Sequence, residues 1–258
     1  MEEKTENAAA GSQSGTAAHS GKKRQNVKEL PMFVHILLTP LRLLTHFALR
    51  VWTVVMYRPK VYFDYPHKAK HKLVDRPSVV ISNHLAGSDG GMLMIQFFRN
   101  RFCALVAREW VNKMALVVGP FRGISIDRYH GGVSWLRESV RRMEKGNSII
   151  IFPEGFIEIE RGNLSRFRPG FIQLARMAGA EVVPVYLEGY YSHFFRDRFR
   201  IMVGEPMKLS EQGDRTEREY YKEEALRYQA RVEELRESLH ARLAEEKDKK
   251  GKGARRAE

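Results

Sequence analysis

The chain predicts an α/β fold: a mostly parallel central sheet flanked by helices, preceded by an amphipathic helical segment and followed by a charged C-terminal helix. Three observations lead there. From Pro77 onward, short runs rich in Val, Ile and Phe alternate with stretches of helical periodicity, the pattern of layered βαβ units. Those runs end in loops carrying His, Asp, Glu and Gly, where functional residues of parallel sheets collect. Finally, 43% of the 258 residues are hydrophobic, which supplies a sizeable core and excludes globally disordered or collagen-like classes.

The strand signals are PSVVISNH (77–84), FCALVA (102–107), ISI (124–126), SIIIF (148–152), VVPVYL (182–187) and RFRIMV (198–203), with Val61 to Asp64 adding an edge strand. Helical stretches fall near 89–98, 109–117, 131–145 and 169–178. In the third, Val133, Leu136, Val140 and Met143 form an apolar stripe, and Gly146 follows as a C-cap. A last helix over 214–246 opens with Thr216 and Glu219 as a capping box. Its stripe of Ala225, Tyr228, Val232, Leu235 and Leu239 suits packing on the domain or seating a partner helix. The ending KDKKGKGARR reads as a solvated tail attracted to anionic surfaces.

Before the α/β region, residues 1–30 have almost nothing to bury and read as a disordered tail without the apolar core of a secretory signal. Residues 31–59 are the most apolar stretch. His35, Pro40, Arg42, His46 and Arg50 interrupt it, which disfavours a span needing about 20 mostly apolar residues. Arg42, His46 and Arg50 stand four apart, on one stripe of a helix that starts with Thr39 as N-cap and Pro40 at its first turn. Leu41, Leu44, Phe47, Val51 and Val55 fill much of the rest. This predicts a helix lying in the membrane interface, cations toward the headgroups; the competing reading is a helix buried against the domain. The organisation is thus a tail (1–30), a membrane-interface helical segment (31–59), an α/β domain (60–210) and a charged helix with a basic end (211–258).

Lys and Arg number 44 against 31 Asp and Glu, a formal charge of +13 carried mainly by the body of the chain. Such a balance calls for an anionic partner. Nucleic acid is disfavoured, because the cations are spread over many helices with no binding motif or aromatic platform. Cys103 is the one cysteine, which excludes a disulfide framework and disfavours structural zinc; inside an apolar run it reads as structural rather than nucleophilic. His67 and His71 lie four apart in a Lys-rich stretch without carboxylate support, so no metal site is expected.

Chemistry centres on SNHLAGSD. His84 ends a strand and Asp89 follows five residues later at a helix start, so the loop can bring the carboxylate onto one ring nitrogen and leave the other free as a base. Asp89 could equally be a plain N-cap. No G-x-S-x-G elbow is present, and the HGG at 130–132 does not make an oxyanion loop without one. Direct deprotonation of a substrate hydroxyl by His84 therefore fits better than a covalent acyl-enzyme.

Three further strings follow at strand ends: GISIDR (123–128), FPEG (152–155) and VVPV (182–185). With NHLAGSD they resemble, in order and near spacing, the four motifs of the PlsC-type glycerolipid acyltransferases, over about residues 33–205. The resemblance implies transfer of a fatty acyl group from acyl-CoA or an acyl carrier protein to the free hydroxyl of a lysophospholipid, chiefly 1-acyl-sn-glycerol-3-phosphate. His84 would be the base and Asp89 its orienter. Glu154, Gly155 and Arg128, with Gly123 and Pro184 from the second and fourth motifs, would help hold the acceptor. RFRPGFIQLA (166–175) resembles a further family stretch and makes Arg168 a phosphate-side cation; Arg108 and Lys113 are weaker candidates. No cofactor is implied beyond the thioester co-substrate. The partner surface would be a phospholipid membrane, met peripherally from the cytoplasmic face.

One departure bears on specificity. Where many family members continue FPEG with Thr-Arg-Ser, this chain has Phe156, Ile157 and Glu158, and the loop to Phe167 runs about one residue longer. Arg161 or Arg166 could compensate. The altered loop also leaves room for another acceptor, such as an amino-acid-containing lysolipid, for a hydrolase using water, or for a non-catalytic phospholipid-binding protein on the same scaffold.

Overall fold

The structure is a computed structural model that describes residues 39–67, 69, 71–107, 123–126, 132–157, 164–191 and 198–255. The expected N-terminal tail, the start of the apolar segment and the helix near 109–117 lie outside the described residues. Pro40–Glu258 forms one compact unit; of the other, Met1–Thr39, only Thr39 is described.

Seven described strands make one sheet: β1 (Lys60–Phe63), β2 (Val79–Ser82), β3 (Phe102–Ala107), β4 (Ile124–Ile126), β5 (Ser148–Ile151), β6 (Val182–Glu188) and β7 (Arg200–Val203). Their spatial order is β1-β7-β6-β2-β5-β3-β4. The stretch from β6 to β4 is parallel throughout, whereas β7 is antiparallel to β6 and carries β1 parallel beside it. The expected edge strand at Val61 is therefore present. At the centre, Val80 pairs with Ile150 and with Val183, and Ile81 with Ile151 and with Pro184. Both β2 and β5 are buried along their whole length, as continuous apolar runs in a parallel sheet require.

Alternation along the strands divides the core. Val79, Ile81, Ile149 and Ile151 face α3 (Ser134–Glu144), α4 (Gly170–Ala178) and α5 (Glu217–Arg255). Val80, Ile150, Val183 and Val185 face α2 (Asp89–Gln96) and the loop holding Leu73 and Val74. In α3, Leu136 and Met143 are buried and Val140 half-buried, while Val133 is exposed because it sits one residue before the helix. Gly146, at φ +82°, ends the turn by donating its N–H to the Met143 carbonyl.

The long helix α5 opens as the sequence predicts. The Thr216 N–H donates to Glu219 Oε2 at 3.0 Å, and the Glu219 N–H approaches Thr216 Oγ1 at 3.4 Å. Its stripe packs on the domain: Tyr228, Val232, Leu235 and Leu239 are fully buried against β6, β7 and α4. Ion pairs fix its polar edge, Lys60 to Glu246 at 2.6 Å and Arg231 to Asp64. The helix runs on to Arg255 rather than stopping near 246, so the basic end is helical instead of a loose tail. Lys, Glu and Ala in that segment favour helix, and no proline stops it.

Helix α1 (Thr39–Tyr57) precedes β1. Among its described side chains only Thr53 is buried, whereas Leu44, Phe47, Val51, Trp52, Val54 and Val55 are each about half exposed or more. These described apolar side chains are thus open to solvent. Arg50 departs from expectation: its Nη2 donates to His71 Nε2 at 3.1 Å, and its guanidinium lies 4.3 Å from the Phe98 ring centroid. His71 in turn donates from Nδ1 to the Gln96 carbonyl. The aromatic face and the imidazole offer this cation a cation–π contact and a hydrogen bond, so it turns onto the domain. Among the described residues no helix is long and apolar enough to cross a membrane.

Because Leu235 is fully buried in the α5 seam, Leu235→Ala will lower unfolding free energy by about 2–5 kcal/mol. Half-exposed Leu226→Ala will change it by about 0.5 kcal/mol or less, both read by urea denaturation.

Candidate active site

Two central neighbours, β2 and β5, end side by side, and the loops leaving their carboxyl ends build the site. The first residue past β2 is Asn83, buried and clamped across the sheet. Its Nδ2 donates to the Leu187 carbonyl at 3.0 Å and its Oδ1 accepts the Leu187 N–H at 2.8 Å. This ties the start of the loop after β2 to β6.

His84 follows. Its Nδ1 donates to Asp89 Oδ2 at 2.9 Å, and its ring stacks on Phe152 with centroids 4.2 Å apart and planes 13° from parallel. The backbone N–H of His84 donates to Glu154 Oε1 at 3.1 Å. Asp89 is fully buried at the first position of α2, where the helix dipole favours a negative charge. Its Oδ2 also accepts the Leu85 and Ala86 backbone N–H groups at 2.6 and 2.9 Å, and its Oδ1 accepts the Tyr191 hydroxyl at 2.8 Å. Four donors thus surround one carboxylate, which keeps a buried charge tolerable. With Nδ1 held as the donor, Nε2 carries the lone pair, and it makes no hydrogen bond among the described residues.

Beyond β5, Glu154 is buried and Gly155 turns the chain at φ +80°. The exposed Arg168 returns to the same place, its N–H donating to the Pro153 carbonyl at 2.9 Å. Its guanidinium lies over Gly155, where a Cβ would stand 2.9 Å from Arg168 Cζ. The positive φ favours glycine here, and a Cβ would also push the flexible guanidinium aside. Among the described residues that guanidinium makes no hydrogen bond or ion pair, so it can meet an anion.

The structure therefore brings together His84, Asp89, Glu154, Gly155 and Arg168. Pro184 is buried within β6, level with Ile81, and packs against Gly204; it is not at the loop end. Gly123 leads into β4 at the sheet edge. Arg128, Arg108, Lys113, Glu158 and Arg161 lie outside the described residues. Arg166, Phe156 and Ile157 are exposed. Cys103 is buried in β3, and His67 is engaged by the Lys72 carbonyl and stacked on Phe63. No group of three His, Cys, Asp or Glu side chains that could hold a metal exists among the described residues.

Three contributors went unread in the sequence: Asn83, Phe152 and Tyr191. Asn83 and Phe152 adjoin motif residues, but nothing in their spacing announces a clamp or a stacking floor. Tyr191 is 102 residues from Asp89 in sequence, and only the fold makes them partners.

At its carboxyl edge the mostly parallel sheet thus presents a carboxylate-oriented histidine, with an arginine laid on a glycine turn beside it. Residues 62–188, just under half of the chain, match the acyltransferase family model. The chain is similar to the 1-acyl-sn-glycerol-3-phosphate acyltransferases of Limnanthes douglasii and Limnanthes alba, at 29% identity over 135 residues in each case. That stretch covers 48% of this chain and 45% of each plant protein, so the match spans less than half of those relatives. In fold it resembles the crystal structure of the 1-acyl-sn-glycerophosphate (LPA) acyltransferase PlsC from Thermotoga maritima, with a TM-score of 0.52 and 20% identity over 79% of this chain and 92% of that one.

Gly155→Ala and Gly146→Ala share a backbone cost, since both positions have φ near +80°, but only the former displaces a cation. Each will lose about 1–2 kcal/mol in urea denaturation. Only Gly155→Ala will also move the Arg168 guanidinium, read as a shift of its Nε–H NMR resonance.

Proposed function

We propose that the protein is a membrane-associated O-acyltransferase that moves a fatty acyl group from acyl-CoA or an acyl carrier protein to the free hydroxyl of a lysophospholipid, chiefly 1-acyl-sn-glycerol-3-phosphate, giving phosphatidic acid. The observation that carries this reading is the 2.9 Å bond from His84 Nδ1 to the buried Asp89 carboxylate, with Nε2 left open at the sheet edge. The likeness to the plant 1-acyl-sn-glycerol-3-phosphate acyltransferases supports it.

In this mechanism His84 Nε2 takes the acceptor hydroxyl proton as that oxygen attacks the thioester carbonyl carbon. The carbon–oxygen bond forms, the tetrahedral adduct collapses, and the carbon–sulfur bond breaks. The proton passes from Nε2 to the departing thiolate, giving a free thiol and an ester. Asp89 remains ionised and stabilises the transient imidazolium. Arg168 and Arg128 hold the acceptor phosphate, for which a guanidinium fork is suited. Glu154 fixes the backbone of His84 and so its direction of attack. No metal or cofactor takes part; EDTA will leave transfer unchanged.

The exposed apolar face of α1 docks this site on the bilayer from the cytoplasmic side, where both acyl donors are found. Leu44, Phe47, Val51, Trp52, Val54 and Val55 enter the headgroup boundary, and the basic surface meets anionic lipid. Phe47→Glu together with Trp52→Glu will reduce binding to liposomes containing anionic lipid in a sedimentation assay, while His84→Ala will leave it unchanged.

The direct test is thiol release from palmitoyl-CoA and from an acyl carrier protein by detergent-purified protein, across a panel of lysophospholipids. Release will depend on acceptor, and His84→Ala will slow it by about 10²–10⁴-fold. Release without any acceptor would mark a hydrolase. No release from either donor, with liposome binding intact, would mark a non-catalytic lipid-binding protein.

A further inference from the structure

Tyr191 stands just past the end of β6, and its hydroxyl donates to Asp89 Oδ1 at 2.8 Å. The other three donors to Asp89 all crowd onto Oδ2, so Tyr191 supplies the described hydrogen bond to the second oxygen. A carboxylate gripped at one oxygen can still turn about its Cβ–Cγ bond. Gripped at both, its plane is fixed, and so is the direction in which Oδ2 receives the His84 proton.

The phenol is built to remain a donor. Burial, and next the Asp89 charge, raise its pKa far above the ordinary tyrosine range, so it stays protonated at any working pH. Its ring is walled by Tyr57 at 5.3 Å in edge-to-face contact and by Phe199 at 5.0 Å. Tyr57 is the last residue of α1, and its carbonyl accepts the Phe199 N–H at 2.9 Å. An unbroken series of contacts thus runs from the base of the apolar helix through Tyr57 and Tyr191 to Asp89 and His84.

We propose that Tyr191 is a positioning residue for the His84–Asp89 pair, locking the carboxylate plane through Oδ1 while Tyr57 at the end of α1 holds the Tyr191 ring in place. As a role in catalysis this rests on the acyltransfer reading above. As a statement about the geometry of the pair it does not.

Tyr191→Phe keeps the ring and its packing and removes only the hydroxyl. Two readouts are followed in the full chain: the NMR resonance of the His84 Nδ1–H proton, which needs no substrate, and steady-state acyl transfer. The expected result is an upfield, broadened resonance together with a fall in kcat of about tenfold at unchanged KM for donor and acceptor, as loss of one hydrogen bond to a charged group implies. A purely structural tyrosine would move neither in a variant that keeps its ring. An unmoved or downfield resonance overturns the inference whatever the activity. A moved resonance with kcat within twofold of the parent overturns it as well, since the lock would then serve no catalytic end. A moved resonance in a protein whose parent shows no acyl transfer upholds the carboxylate lock and overturns the acyltransfer reading instead. Should Tyr191→Phe fail to fold, 3-fluorotyrosine at position 191 retains the hydroxyl as a stronger donor and must narrow the same resonance; an unchanged linewidth overturns the proposal.

Discussion

A fully buried carboxylate must be compensated, and much of this site follows from how Asp89 is. An unpaired carboxylate in a dry interior would cost several kcal/mol, or would take up a proton and lose its effect on the histidine. Here the compensation comes from four donors, supplied by three structural devices. The backbone N–H groups of Leu85 and Ala86 come from the tight loop after β2, the imidazole from the second residue past that strand, and the phenol from beyond β6. Satisfying one charge therefore fixes the loop, the orientation of the ring and the approach of a distant segment together. The open Nε2 is the residue of that arrangement: one ring nitrogen is consumed in the compensation, and the other is left for chemistry.

The sheet gives that arrangement its frame. Neighbouring parallel strands end at the same level, so loops widely separated in sequence meet there without any long excursion. Glu154 from the β5 loop reaches the backbone of His84, and Arg168 folds back over Gly155, because β2 and β5 are paired in register through Val80 and Ile150. The Asn83 clamp to Leu187 extends the same logic to β6. The site is most tightly hydrogen-bonded around His84 and Asp89 and carries the Arg168 cation at the solvent side.

Much of this was legible from local pattern. Buried parallel strands announce themselves as continuous apolar runs, which is why VVIS, FCALVA and SIII were readable. The α5 stripe and its capping box were equally plain, since helix signals depend on residues three and four apart. Other features resisted for physical reasons. Arg50 falls on the cationic stripe of an isolated helix, yet the ring of Phe98 and the imidazole of His71 draw it onto the domain. The helical continuation to Arg255 follows a run of Lys, Glu and Ala that reads equally well as a solvated tail, since such residues favour helix without an apolar stripe to announce it. Pro184 looked like a motif residue from its string, and the register puts it inside the sheet, three residues short of the level of His84.

By itself the sequence determined the fold class, the His84–Asp89 pair, the glycine turn after Glu154 and the apolar character of α1, because each depends on residue type at short spacing. Only the tertiary structure decided which cation lies on Gly155, which ring floors His84 and which hydroxyl closes the second oxygen of Asp89. Those contacts join residues from 13 to 102 positions apart, and sequence periodicity carries no information about partners that meet only once strands have paired and chosen their register.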